Sequence, residues 1–161
     1  MALLIALLML SACTLVGCAI PKDPEHSLQR ASGGVLRVGV SANPPWTEVS
    51  GQQTPTGIEV RLVEDYARSI GADIEWSVGA ESILVSKISE NELDLVIGGF
   101  DSRTPWKKYA TTTRPYARTL DAEGKPVKRV WLCAQGENAL LSSVESELIE
   151  NPPQGLPGQV R

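Results

Sequence analysis

Histidine is nearly missing from this 161-residue chain, His26 being the single one. Cysteine is scarce, at three, and phenylalanine occurs once. No pair of imidazoles, no Cys-x2-Cys and no Gly-x4-Gly-Lys-Ser/Thr loop occurs. These are the patterns by which zinc and nucleotide phosphates are usually held, and their absence argues against both chemistries. Glu59, Glu81 and Asp101 remain as carboxylates, but no spacing marks two of them as a tuned acid–base pair. The expectation is a protein that is not an enzyme and has neither cofactor nor metal. An excess of one charge is missing too. Fifteen Lys and Arg stand against 19 Asp and Glu, a net charge of −4. With no basic run, nucleic acid is not an expected partner.

One long apolar run is present. Ala2 to Leu10 is unbroken, and no charge appears before Lys22. A core helix would show a polar face, which this run lacks. A membrane span needs about 20 apolar residues. A signal peptide needs fewer, ended by small residues. Leu15-Val16-Gly17-Cys18 has the form of a lipobox, and Leu10-Ser11-Ala12-Cys13 is a second match. The chain turns polar just after Cys18, which favours that residue. Residues 1–18 are therefore expected to be a lipoprotein signal with lipidated Cys18, its acyl chains anchoring the protein outside the cytoplasmic membrane. Cys133 then has no disulfide partner, and its apolar setting marks it as a small core residue. Residues 19–33 read as a tether holding Pro21, Pro24 and a solvated His26, without apolar periodicity.

Residues 34–150 carry the patterns of a folded domain. Gly34 to Ser41 is β-branched and bounded by Gly and Asn-Pro, so it predicts a strand. Ile58, Leu62, Tyr66 and Ile70 recur at i+4, predicting a helix over 57–70 that Gly71 ends. Asp73 to Val78 predicts a second strand, and a short helix carries Ile83, Leu84 and Ile88. Leu93 to Ile97 predicts a third strand, apolar throughout except Asp94, as buried parallel strands are. The order β-α-β-α-β implies a parallel sheet with right-handed crossovers. A turn near 121–126, a fourth buried strand over Val130 to Ala134 and a last helix capped by Asn138 complete the domain. Residues 151–161, rich in Pro and Gly, are expected to be disordered.

Four motifs follow one another from Val35 to Tyr116. They are Leu36-Arg37-Val38-Gly39-Val40 with Pro44-Pro45-Trp46; Gly57-Ile58-Glu59-Val60; Leu93-Asp94-Leu95-Val96-Ile97-Gly98-Gly99; and Thr104-Pro105 with Arg114-Pro115-Tyr116. This succession resembles family 3 of the bacterial extracellular solute-binding proteins, the amino-acid-type binders of ABC importers. The resemblance implies an α/β fold, a type II periplasmic-binding-protein-like lobe with a mostly parallel sheet flanked by helices. Family members leave this lobe after the Pro-Tyr segment, build a second lobe and return. Only a hairpin's length separates Tyr116 from Val130 here, so a single lobe is expected. The resemblance further implies capture of a small polar solute and an ABC permease as a possible partner.

Open α/β sheets hold ligands beyond the carboxyl ends of their parallel strands. That rule and the resemblance together select Asn43, Trp46, Glu81, Gly98, Gly99, Asp101, Ser102 and Lys107 as ligand-binding candidates. Trp46 would pack on a ligand or else shield the sheet edge. Gly98 and Gly99 would open backbone N–H groups to a ligand or else make a tight turn. Asp101 and Ser102 would hydrogen-bond a ligand, or else be solvated or cap the next turn. Lys107 stands where the family's carboxylate-clamping Arg would be, with Arg103 as a substitute. Trp76 and Trp131 read as core, and Trp106 as a cover beside the site. The alternative function is a protein-interaction or sensory module, in which the face left by the missing lobe binds a protein or pairs two chains into a homodimer.

Overall fold

A computed structural model describes residues 23–51 and 54–159. The signal segment and both Cys13 and Cys18 lie outside the described residues. Strands β1 (Val35–Val40), β2 (Asp73–Val78) and β3 (Leu95–Asp101) alternate with helices α2 (Ile58–Ser69) and α3 (Glu81–Ser89). A 3-10 turn (Pro105–Lys108), β4 (Thr111–Thr112), β5 (Ala117–Leu120), β6 (Pro126–Cys133) and α4 (Asn138–Glu150) follow. The six strands form one sheet in the order β2-β1-β3-β6-β4, with β5 also on β6.

The sheet is mixed. β1 runs parallel to β2 and β3, whereas β6 is antiparallel to β3, β4 and β5. The turn at Asp121 reverses the chain, so β5 and β6 make a hairpin where a crossover would be needed for a parallel strand. Val40 sits opposite both Val78 and Ile97, which brings the carboxyl ends of β1, β2 and β3 to one level.

Two apolar layers hold the sheet. On one face Val60, Val63, Tyr66 and Ala67 of α2 and Leu140, Val144 and Leu148 of α4 meet Leu36, Val38, Ile97 and Trp131. On the other, Leu84, Val85 and Ile88 of α3 meet Val96, Phe100, Val130 and Leu132. Cys133 is fully buried, and burial keeps its thiol protonated, as a core cysteine's should be.

Two segments expected to be unstructured are not. Residues 27–31 of the expected tether form a helix, α1 (Ser27–Ala31), with Ala31 buried in the core. Glu137 accepts hydrogen bonds from the N–H groups of Glu25 and Ser27 at 3.0 and 2.9 Å, so the position before α4 caps the entry to α1. Asn138, expected to be the cap of α4, is instead its first residue. Asp94 then accepts from Arg30 of α1 and Arg37 of β1. His26 is exposed. The expected disordered tail also docks: Leu156 is buried, and Gly158 and Gln159 pair with Leu120 and Thr119 along the free edge of β5. An edge strand leaves unpaired backbone groups, and the tail satisfies them.

Candidate ligand site at the carboxyl ends of the strands

The chain leaves β1 into a tight turn. Asn43 N–H donates to Thr47 O, and Trp46 N–H to Asn43 O, both at 2.9 Å. Asn43 Nδ2 reaches across to Gly98 O at 2.8 Å. Trp46 is buried rather than spread on the surface, with 4% exposure. A Cβ on Gly99 would lie 2.6 Å from its ring, and one on Gly57 would lie 2.4 Å from its carbonyl oxygen. Gly99 also has a φ of 64°, left-handed backbone that glycine takes without strain. Here the pairing of β3 with β6 shifts between Val96 and Phe100, a bulge. The glycine pair therefore serves backbone geometry and the close seat of the indole at once.

The carboxylate of Glu59 occupies the space below. Its Oε2 accepts from the N–H groups of Gly98 and Gly99, both at 2.8 Å, and its Oε1 accepts from the Tyr116 hydroxyl. Glu59 is fully buried. Burial pushes its carboxyl above the usual range, and the hydrogen bonds from Tyr116 and the two glycines, with the charge of Arg129, offset only part of that rise. Arg129 of β6 closes the arrangement. Its Nη1 donates to Gly99 O at 2.6 Å, its Nε to Thr119 Oγ1 at 3.0 Å, and its guanidinium lies 4.6 Å from the centre of the Trp46 ring. All four backbone polar groups of Gly98 and Gly99 are thus used inside the protein. Their N–H groups, expected to meet a ligand, are held by Glu59.

The remaining candidates make no side-chain hydrogen bond to this cluster among the described residues. Glu81, at the start of α3, accepts a hydrogen bond from Trp106 Nε1 at 2.8 Å and so fixes that indole. Asp101 pairs with Arg103 at 2.6 Å, which holds its carboxyl below the usual range. Ser102 Oγ is 3.4 Å from the same carboxylate. Lys107 is exposed on the 3-10 turn and has no ion pair among the described residues. The structure brings together Asn43, Trp46, Gly98 and Gly99, and separately joins Glu81 to Trp106. Glu59, Tyr116 and Arg129 complete the first cluster and were not among the expected site residues. Arg129 lies just before the strand expected over Val130 to Ala134 and carried no sequence signal; in the structure it falls inside β6, directly across from Asp101.

The family profile of the bacterial extracellular solute-binding proteins, family 3, matches residues 36–149. The chain belongs to that family. Its fold matches the arginine-bound form of domain 1 from TmArgBP with a TM-score of 0.64 and 25% identity, over 76% of this chain and 97% of that one. It also matches the L-cystine solute receptor of Neisseria gonorrhoeae in the unliganded open conformation, with a TM-score of 0.64 and 10% identity, over 76% of this chain and 89% of that one. The membrane-bound lytic murein transglycosylase F of Vibrio cholerae is 33% identical over 87 residues, 53% of this chain and 16% of the relative's length. The chain thus spans only a small part of that curated relative. Family and fold are those of extracytoplasmic binding proteins, reduced in this chain to a single lobe that supports a substrate-binding role.

Proposed function

We propose that this protein is a membrane-anchored, extracytoplasmic lobe that captures a small polar, amino-acid-like solute non-covalently and serves as the substrate-binding component of an ABC transporter. The observation that carries the reading is the common level of the three strand ends, where Asn43, Trp46 and the Gly98–Gly99 bulge meet. Ligands of open α/β sheets bind at this edge. Asp101, Ser102, Glu81 and Lys107 would border the solute, and Cys18 would carry the lipid.

A thermal-shift screen of polar solutes, repeated by tryptophan fluorescence, tests capture. Saturable binding that Trp46→Ala weakens is expected; silence across the library overturns it. Mass spectrometry of the membrane fraction tests the anchor, and an unacylated Cys18 removes it. A second reading, a non-transport sensory or protein-interaction module, is favoured by the identity with part of a murein transglycosylase. A homodimer or a captured envelope protein, together with silence to solutes, would select that reading.

A further inference from the structure

The face of Trp46 is covered by the chain's own guanidinium, Arg129 Cζ standing 4.6 Å from the ring centre. Nη1 and Nε of Arg129 have protein acceptors, Gly99 O and Thr119 Oγ1. Nη2 has none among the described residues, and no described carboxylate lies within ion-pair distance of this guanidinium. The two nearby acids direct their hydrogen bonds to other groups, although Glu59 still feels the charge of Arg129. Glu59 holds two glycine N–H groups and the Tyr116 hydroxyl. Asp101, opposite Arg129 in the β3–β6 register, holds Arg103.

The result is a partly buried cation with an N–H group left over, at the edge where such sheets hold ligands. A half-buried guanidinium is partly stripped of water and favours a counter-anion, and its planar fork matches a carboxylate. A cationic ligand group has no equivalent seat. The indole face is taken, and a second cation there would stand against Arg129, a like-charge contact. We infer that Arg129 determines specificity, making this lobe select solutes of net negative charge, of the dicarboxylate or acidic amino-acid class, and reject cationic ones. The inference rests on the solute-binding reading above and names its substrate class.

Calorimetric titration of the full chain with L-glutamate, succinate and L-arginine tests it. The wild type is expected to bind at least one of the two anions, and L-arginine at least about tenfold more weakly. Arg129→Ala is expected to lose about tenfold or more in anion affinity, and Arg129→Lys, which keeps charge without the fork, to fall between. Because Arg129→Ala also removes hydrogen bonds, it is titrated with methylguanidinium as well. A rise in melting temperature and a change in tryptophan fluorescence, absent from the wild type, would show the vacated seat over Trp46. L-Arginine binding as tightly as L-glutamate, or anion binding untouched in Arg129→Ala, overturns the inference. So does silence of all three probes; if a wider library then binds, solute capture stands and only the substrate class has failed.

Discussion

Two buried acids lie near opposite ends of the parallel strands, Asp94 just before β3 and Glu59 on α2, and the two are handled in opposite ways. At the amino ends, Asp94 meets two guanidinium groups, Arg30 at 2.5 Å and Arg37 at 2.8 Å, and the Arg37 N–H as well. At the carboxyl ends, Glu59 meets backbone N–H groups and a hydroxyl, while the nearby Arg129 turns to an indole and two neutral oxygens. The acid is met by guanidinium groups directly at the first end, and only by neutral donors at the second, where Arg129 makes no ion pair among the described residues. A buried acid with full charge pairing is a clamp, here fastening α1 to the sheet. A buried acid that organises glycines beside a cation with no ion pair among the described residues is the arrangement on which the solute-binding proposal rests.

Substitutions at the two ends should separate these roles. Gly99→Val is expected to have the largest effect, about 4 kcal/mol of stability, because it combines left-handed backbone with a side chain driven into Trp46. Denaturant melts would read it; a loss below about 1 kcal/mol would mean the bulge is not fixed as described. Asp94→Ala comes next, at roughly 3 kcal/mol, since it strands two arginines that are only partly solvated. The loss should appear with solute affinity unchanged, which a change in binding would contradict.

Glu59→Gln sharpens the contrast through pH. Burial raises the carboxyl's folded-state pKa, so its contribution is full below the unfolded value near 4.5 and is lost as pH rises through the folded one. The amide keeps an acceptor for the glycines and does not ionise. Measured by denaturation from pH 4 to 8, the variant should gain on the wild type as pH rises; a constant difference would mean Glu59 titrates alike in both states. Lys107→Ala should move stability by less than about 0.5 kcal/mol, being exposed and without an ion pair among the described residues. A larger loss would show that the 3-10 turn depends on it.

Much of the fold was legible because it follows local rules. The apolar periodicity of 57–70 announces a helix, and α2 forms there, although the face it buries runs through Val60, Val63, Tyr66 and Ala67, with Leu62 and Ile70 only partly covered. Asp73 to Val78 is the strand its residues predict. The errors came where distant residues decide. Residues 27–31 carry too few apolar side chains to announce a helix, yet Ala31 fits under the sheet, and Glu137, 110 positions from Ser27, receives its N–H. The tail reads as polar and Pro-rich, but an open strand edge lies within its reach. At the site, Asn43, Trp46 and the glycine pair were visible as motifs. The ownership of the glycine N–H groups was not, because it depends on Glu59 arriving 39 and 40 residues away.

Sequence by itself determined the alternation of strands and helices, the parallel start, the hairpin in place of a second lobe, and the family. Those follow from periodicity, turn residues and chain length, which act over a few positions at a time. Tertiary structure decided that α1 and the tail are docked, that the polar backbone groups of Gly98 and Gly99 bond within the chain, and that Arg129 lies on Trp46. Each of those outcomes is a competition among several donors and acceptors for one partner, and only the folded geometry brings the competitors within hydrogen-bonding distance.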